Sequence, residues 1–118
     1  MRELDPKAVG LLRELEETGA TDFFAAVCER FQEDAVGRLN TLERAVFSGD
    51  GATVKREAHT LKSAAATLGA NDFSNICEKL EQAASKSDLN GAPRLVRQLR
   101  EEFLLVQGAI AAELRRQT

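Results

Sequence analysis

The sequence predicts an all-α fold: an antiparallel up-and-down four-helix bundle with a short additional N-terminal helix. Three observations lead there. Apolar residues recur at three- and four-residue spacing along most of the chain, the period of a helix with one buried face. No stretch alternates apolar and polar residues with period two, so no strand is expected. Short polar breaks separate the helical stretches, and short connections make consecutive helices antiparallel neighbours.

The first helix follows Asp5-Pro6, where Asp5 can cap and Pro6 suits the first helical turn. Its apolar positions are Ala8, Leu11, Leu12 and Leu15, and Gly19 ends it. The second is capped by Thr21 or Asp22 and carries Phe24, Val27, Phe31, Ala35, Leu39, Leu42 and Val46 up to the turn Ser48-Gly49-Asp50-Gly51. Asp50 is the next N-cap. The third helix bears Val54, Ala58, Leu61, Ala65 and Leu68 and closes at Gly69-Ala70. Asn71 or Asp72 starts the fourth, with Phe73, Ile76, Leu80 and Ala84 on its stripe. After Ser85-Lys86-Ser87-Asp88, the fifth starts near Asn90 or Gly91, because Pro93 is tolerated only in a first turn. Its stripe is Leu95, Leu99, Phe103, Val106, Ile110 and Leu114.

The 118 residues make one domain, residues 1–118, with 43% hydrophobic and 30% charged side chains. Ala, Leu, Glu and Arg dominate and favour helix. A net charge of −3, no basic run and no Tyr or Trp for base stacking argue against nucleic acid as a partner. No apolar stretch approaches the roughly 20 residues of a membrane span, and the N-terminus lacks a signal-peptide pattern. A cytoplasmic chain without direct membrane contact is expected. Cys28 and Cys77 lie beside apolar stripes and read as buried, reduced thiols. One histidine and no Cys-x-x-Cys pair leave no metal site. With no Gly-rich phosphate loop, no nucleotide site is expected either.

That one histidine, His59, sits on the third helix. Advancing 100° per residue from His59, the core stripe falls at roughly 180° to 260°, on the far side of the helix. Within about 60° of the imidazole fall Ala52, Lys55, Arg56, Lys62, Ser63 and Ala66. Three cations around one imidazole suit a nucleophile that carries an anionic group. Ala52, Ser63 and Ala66 are small, so another protein's surface can come close. Glu81, next to the core residue Leu80, could reach across and hold one ring nitrogen as N–H, or pair with Lys79 or Lys86. The residues themselves lead as far as a helical bundle with a candidate nucleophilic histidine, against the plain alternative of a solvated polar face.

The string His59-Thr60-Leu61-Lys62, followed by Leu68-Gly69-Ala70, closely resembles the phosphoacceptor motif of histidine-containing phosphotransfer (HPt) domains. Leu4-Asp5-Pro6, Phe23-Phe24, Gly49-Asp50 and Leu80-Glu81 match the same family in order and spacing, so the likeness runs from about residue 4 to 115.

The resemblance implies a monomeric phosphoryl carrier rather than an enzyme, without a cofactor of its own. His59 would accept a phosphoryl group from a receiver-domain aspartate, through Nε2, and pass it to another receiver. Lys62 would favour the phosphoryl oxygens, and Glu81 would orient the imidazole. Ala52, Lys55, Arg56, Ser63 and Ala66 would meet the partner. The implied partners are receiver domains of response regulators or a hybrid sensor histidine kinase, and the receiver would bring the divalent metal. Two positions depart from the family: Ser63 stands where Gly is usual, and Ala64 where Ser is frequent. The rival readings are a docking module that binds or sequesters a partner without phosphotransfer, and a substrate domain of a chemotaxis-type kinase. Within a membrane sensor kinase, the domain would be tethered.

Overall fold

A computed structural model describes residues 3–19 and 21–116. Met1, Arg2, Ala20, Gln117 and Thr118, which the single-domain expectation takes in, lie outside the described residues. Those described form five α-helices and no strand: α1 (Pro6–Glu17), α2 (Phe23–Ser48), α3 (Gly51–Thr67), α4 (Asn71–Ser85) and α5 (Ala92–Arg115). None of these helices is long and apolar enough to cross a membrane.

Helix starts follow local chemistry. The Asp5 carboxylate accepts the Lys7 N–H at 2.9 Å and Pro6 opens α1. Asp50 accepts the Thr53 N–H at 3.2 Å to start α3, and Pro93 falls in the first turn of α5. At α2, Asp22 is the N-cap residue but its backbone is left-handed, with φ 60°, and its side chain makes no capping bond.

α2 packs on α3, α3 on α4, α4 on α5 and α5 back on α2, which closes a ring of four helices as the sequence predicts. The seam between α3 and α4 is the most extensive. The α3 stripe Val54, Ala58, Leu61, Ala65 and Leu68 is buried in full. Phe31, Phe73 and Phe103 join α2, α4 and α5 through ring centroids 5.6 to 6.3 Å apart, a spacing at which aromatic pairs attract. Cys28 and Cys77 lie inside the core itself, each fully buried.

Only part of the expected face of α1 is buried. Val9 and Leu12 pack inward with Leu4, while Leu11 and Leu15 are 64% and 47% exposed. This helix packs on α2 outside the ring, and a single-sided contact buries a narrower stripe than the sequence offers. Arg13 anchors it, with the guanidinium 4.7 Å from the Phe24 ring centroid and donating to the Glu113 backbone and carboxylate at 3.2 and 3.1 Å.

The turn from α3 to α4 fixes how those two helices face each other. Ala70 N–H donates to Ala65 O at 2.9 Å and Gly69 N–H to Ala66 O at 3.1 Å, the bond pair of a Schellman ending. Gly69 has φ 82°, the left-handed region, and its carbonyl accepts the Asp5 N–H at 2.9 Å. A Cβ there would lie 2.7 Å from Asp5 N, so only glycine lets the start of the chain lie this close.

Candidate functional site

Across the α3–α4 seam, His59 meets α4. Its ring is 61% exposed, and Nδ1 lies 2.9 Å from Glu81 Oε2. The other Glu81 oxygen, Oε1, accepts from Lys62 Nζ at 2.6 Å. Lys62 also donates to Glu78 Oε2 at 2.7 Å, and Gln82 holds Glu78 from one turn further along, donating to Oε1 at 2.9 Å. The Ser74 hydroxyl donates to the Lys62 carbonyl at 3.1 Å and ties the same turn of α3 to α4.

The electrostatics set the proton. The bond from Lys62, and then that from His59, hold Glu81 below its usual carboxylate range against the opposing effect of burial. An ionised carboxylate only accepts, so His59 Nδ1 must be the donor. In the neutral imidazole, that leaves the lone pair on Nε2. Glu78 is likewise held low, by Lys62 and then by Gln82, while its two carboxylates raise Lys62. Lys62 is therefore a firm cation with two of its three N–H donors committed.

Ala52, Lys55, Arg56, His59, Thr60 and Glu81 line one open hollow on this face. Ser63 and Ala66 are exposed but do not line it. Lys62, which its angle from His59 places on the polar face of α3, is only 27% exposed, because it folds back onto α4 between the two glutamates. Neither Lys79 nor Lys86 takes up Glu81, which pairs with Lys62 and His59.

Two acidic residues escaped the sequence reading. Glu57 is buried on the other flank of α3, where Arg38 of α2 donates to it at 2.9 Å and Arg56 at 3.4 Å. It binds α3 to α2 and holds one of the cations lining the hollow. Glu78 is the second. Its i,i+4 pairing with Gln82 is legible in sequence, whereas its pairing with Lys62 depends on the register between two helices. Among the described residues, no group of three or more His, Cys, Asp or Glu could hold a metal ion.

A family model described as Hpt domain matches residues 26–109, most of the chain and all of α3 and α4. The chain belongs to the Hpt domain family. The crystal structure of histidine-containing phosphotransfer protein B from Pseudomonas aeruginosa is similar to this Hpt domain, with TM-score 0.83 and 28% identity over 97% of this chain and 96% of that one. Among curated relatives, histidine-containing phosphotransfer protein 5 of Arabidopsis thaliana is 25% identical over 99 residues, and protein 2 of the same plant is 27% identical over 99. These matches span 81% and 78% of this Hpt domain but only 63% and 61% of the two plant proteins.

Proposed function

We propose that this Hpt domain is a phosphoryl carrier of a two-component phosphorelay, with His59 as the acceptor. Nε2 attacks the phosphorus of a receiver's aspartyl phosphate. The Nε2–P bond forms as the P–O bond to the aspartate breaks, and the aspartate leaves as a carboxylate. The proton stays on Nδ1, so the ring becomes cationic, and Glu81 stabilises that charge through the bond it already makes. Transfer to a second receiver runs the same step in reverse. The carrier needs no cofactor, because the receiver brings the divalent metal and the acidic pocket.

The observation that carries this reading is the 2.9 Å contact between His59 Nδ1 and Glu81 in a chain of this family. Lys62 supports the phosphoryl oxygens with its remaining donor. Lys55 and Arg56 favour an acidic receiver surface, and the small side chains of Ala52, Ser63 and Ala66 let it approach. The partners are receiver domains of response regulators or of a hybrid sensor kinase, met in the cytoplasm by a single copy of this domain.

Purified chain and a His59→Gln variant, each mixed with phosphorylated receiver, test the proposal by intact mass at mildly alkaline pH. One acid-labile phosphoryl group on the unsubstituted chain alone is the expected result. Equal labelling of both would exclude His59 as the acceptor. Retained partner binding and signalling in the variant would leave a docking module instead.

A further inference from the structure

The carboxylate of Glu78 has no part in orienting the imidazole. Its described partners are Lys62 and Gln82 alone, and its side chain is 43% exposed. Glu81 already supplies what His59 Nδ1 needs. Glu78 instead takes a second donor from Lys62, one helical turn from the histidine, and Gln82 fixes the carboxylate in the orientation that does so. Lys62, Glu78 and Glu81 together carry a net charge of −1 beside a neutral imidazole. A phosphoryl group arriving on Nε2 places two negative charges on its oxygens and one positive charge on the ring, a net gain of one negative charge beside that cluster. It must then compete with Glu78 for the ammonium, and it stands near an anion that the chemistry does not require.

Resting on the phosphoacceptor reading of His59, we propose that Glu78, oriented by Gln82, is a positioning residue that draws Lys62 away from the phosphoryl group and lowers how firmly the domain retains it. The α4 clasp biases the carrier toward giving its cargo up. A partly exposed ion pair is worth little by itself, so the expected effect is about two- to fivefold in phosphoryl occupancy, a modest adjustment on a working site.

Phosphoramidate tests this without a receiver. Its P–N bond breaks as the Nε2–P bond forms and ammonia leaves, so a fixed ratio of phosphoramidate to ammonia sets the occupancy of His59. Unsubstituted chain, Glu78→Gln, Gln82→Ala, Lys62→Ala and the double variant Glu78→Gln/Lys62→Ala would be compared by intact mass, with helical circular dichroism as the check on folding. Occupancy should rise about two- to fivefold in Glu78→Gln, rise less in Gln82→Ala, and not respond to Glu78→Gln once Lys62 is alanine. Occupancy in Glu78→Gln equal to that of the unsubstituted chain would overturn the proposal. So would an equal gain in the Lys62→Ala background, since Glu78 would then act by its own charge and not through the lysine. A chain that takes no phosphoryl group on His59 from phosphoramidate or from any receiver would overturn the acceptor reading, a result distinct from either of those.

Discussion

His59 Nδ1 and Glu81 Oε2 lie 2.9 Å apart, joining residues 22 positions apart in the chain and on different helices. The contact holds one ring nitrogen as a donor and so decides which nitrogen is available for chemistry. Its strength depends on Glu81 staying ionised, which in turn depends on Lys62.

Glu81→Gln should leave the bundle intact and slow phosphotransfer to His59. The amide oxygen can still accept from Nδ1, but the negative charge that stabilises the ring in transfer is gone. A charge-assisted bond replaced by a neutral one costs about 1.5 kcal/mol, roughly tenfold in rate. Single-turnover transfer from a phosphorylated receiver would measure it. A rate equal to that of the unsubstituted chain would remove Glu81 from the chemistry.

The same cluster should show in acid stability. Glu81 and Glu78 titrate below their ordinary value of 4.5 in the folded chain, so their contribution is complete above that pH and is lost as pH falls through the folded values. Lys62 titrates above its ordinary 10.5, so its contribution is present below that pH and is lost only as pH rises beyond it. Between those limits the cluster is whole. Thermal unfolding of the unsubstituted chain should therefore fall more steeply below pH 4.5 than that of Glu81→Gln. Parallel curves would show that the pairing adds nothing to stability.

Gly69→Ala should destabilise the fold by roughly 2–4 kcal/mol, read by denaturant unfolding. The new methyl group would meet Asp5 N at 2.7 Å and Asp5 Cβ and O at 3.0 Å, all at a backbone angle that disfavours any side chain. A loss below about 0.5 kcal/mol would mean that the start of the chain is free to move away.

Cys28 and Cys77 should be inert in the native chain. Burial pushes their thiols up to about 11 and about 12, and only the thiolate attacks disulfide reagents. An aromatic disulfide reagent at mildly alkaline pH should find no reactive thiol until denaturant is added, and two thereafter. Rapid reaction of either one in native buffer would contradict the core packing described above.

Much of this was legible in the sequence because α3 has a clean period. Val54 to Leu68 form one stripe, and His59 with its cations must then lie on the opposite flank. The Asp5 and Asp50 caps and the position of Pro93 follow from chemistry within a single turn. What failed depends on how helices face each other. In α1, Leu11 and Leu15 look more like core than Val9, but only the side of that helix turned to the bundle is covered. The placement of Lys62 depends on which α4 carboxylates the α3–α4 turn brings beside it. The burial of Glu57 is hidden in the same way, because it depends on Arg38 arriving from α2. Composition and spacing along one helix carry no register to the next.

The ring of neighbouring helices also bears on the order of assembly. Residues that meet across α3 and α4 are close in sequence, joined by a turn of only three residues, Leu68, Gly69 and Ala70. Chains rich in such local contacts fold in microseconds to milliseconds, because little loop entropy is lost before contacts form. The α3–α4 hairpin can close before α2 and α5, separated in sequence by that whole hairpin, find each other. His59 and Glu81 would then be paired among the first lasting contacts, and a domain that is pulled open and released would regain that pair before its full shape.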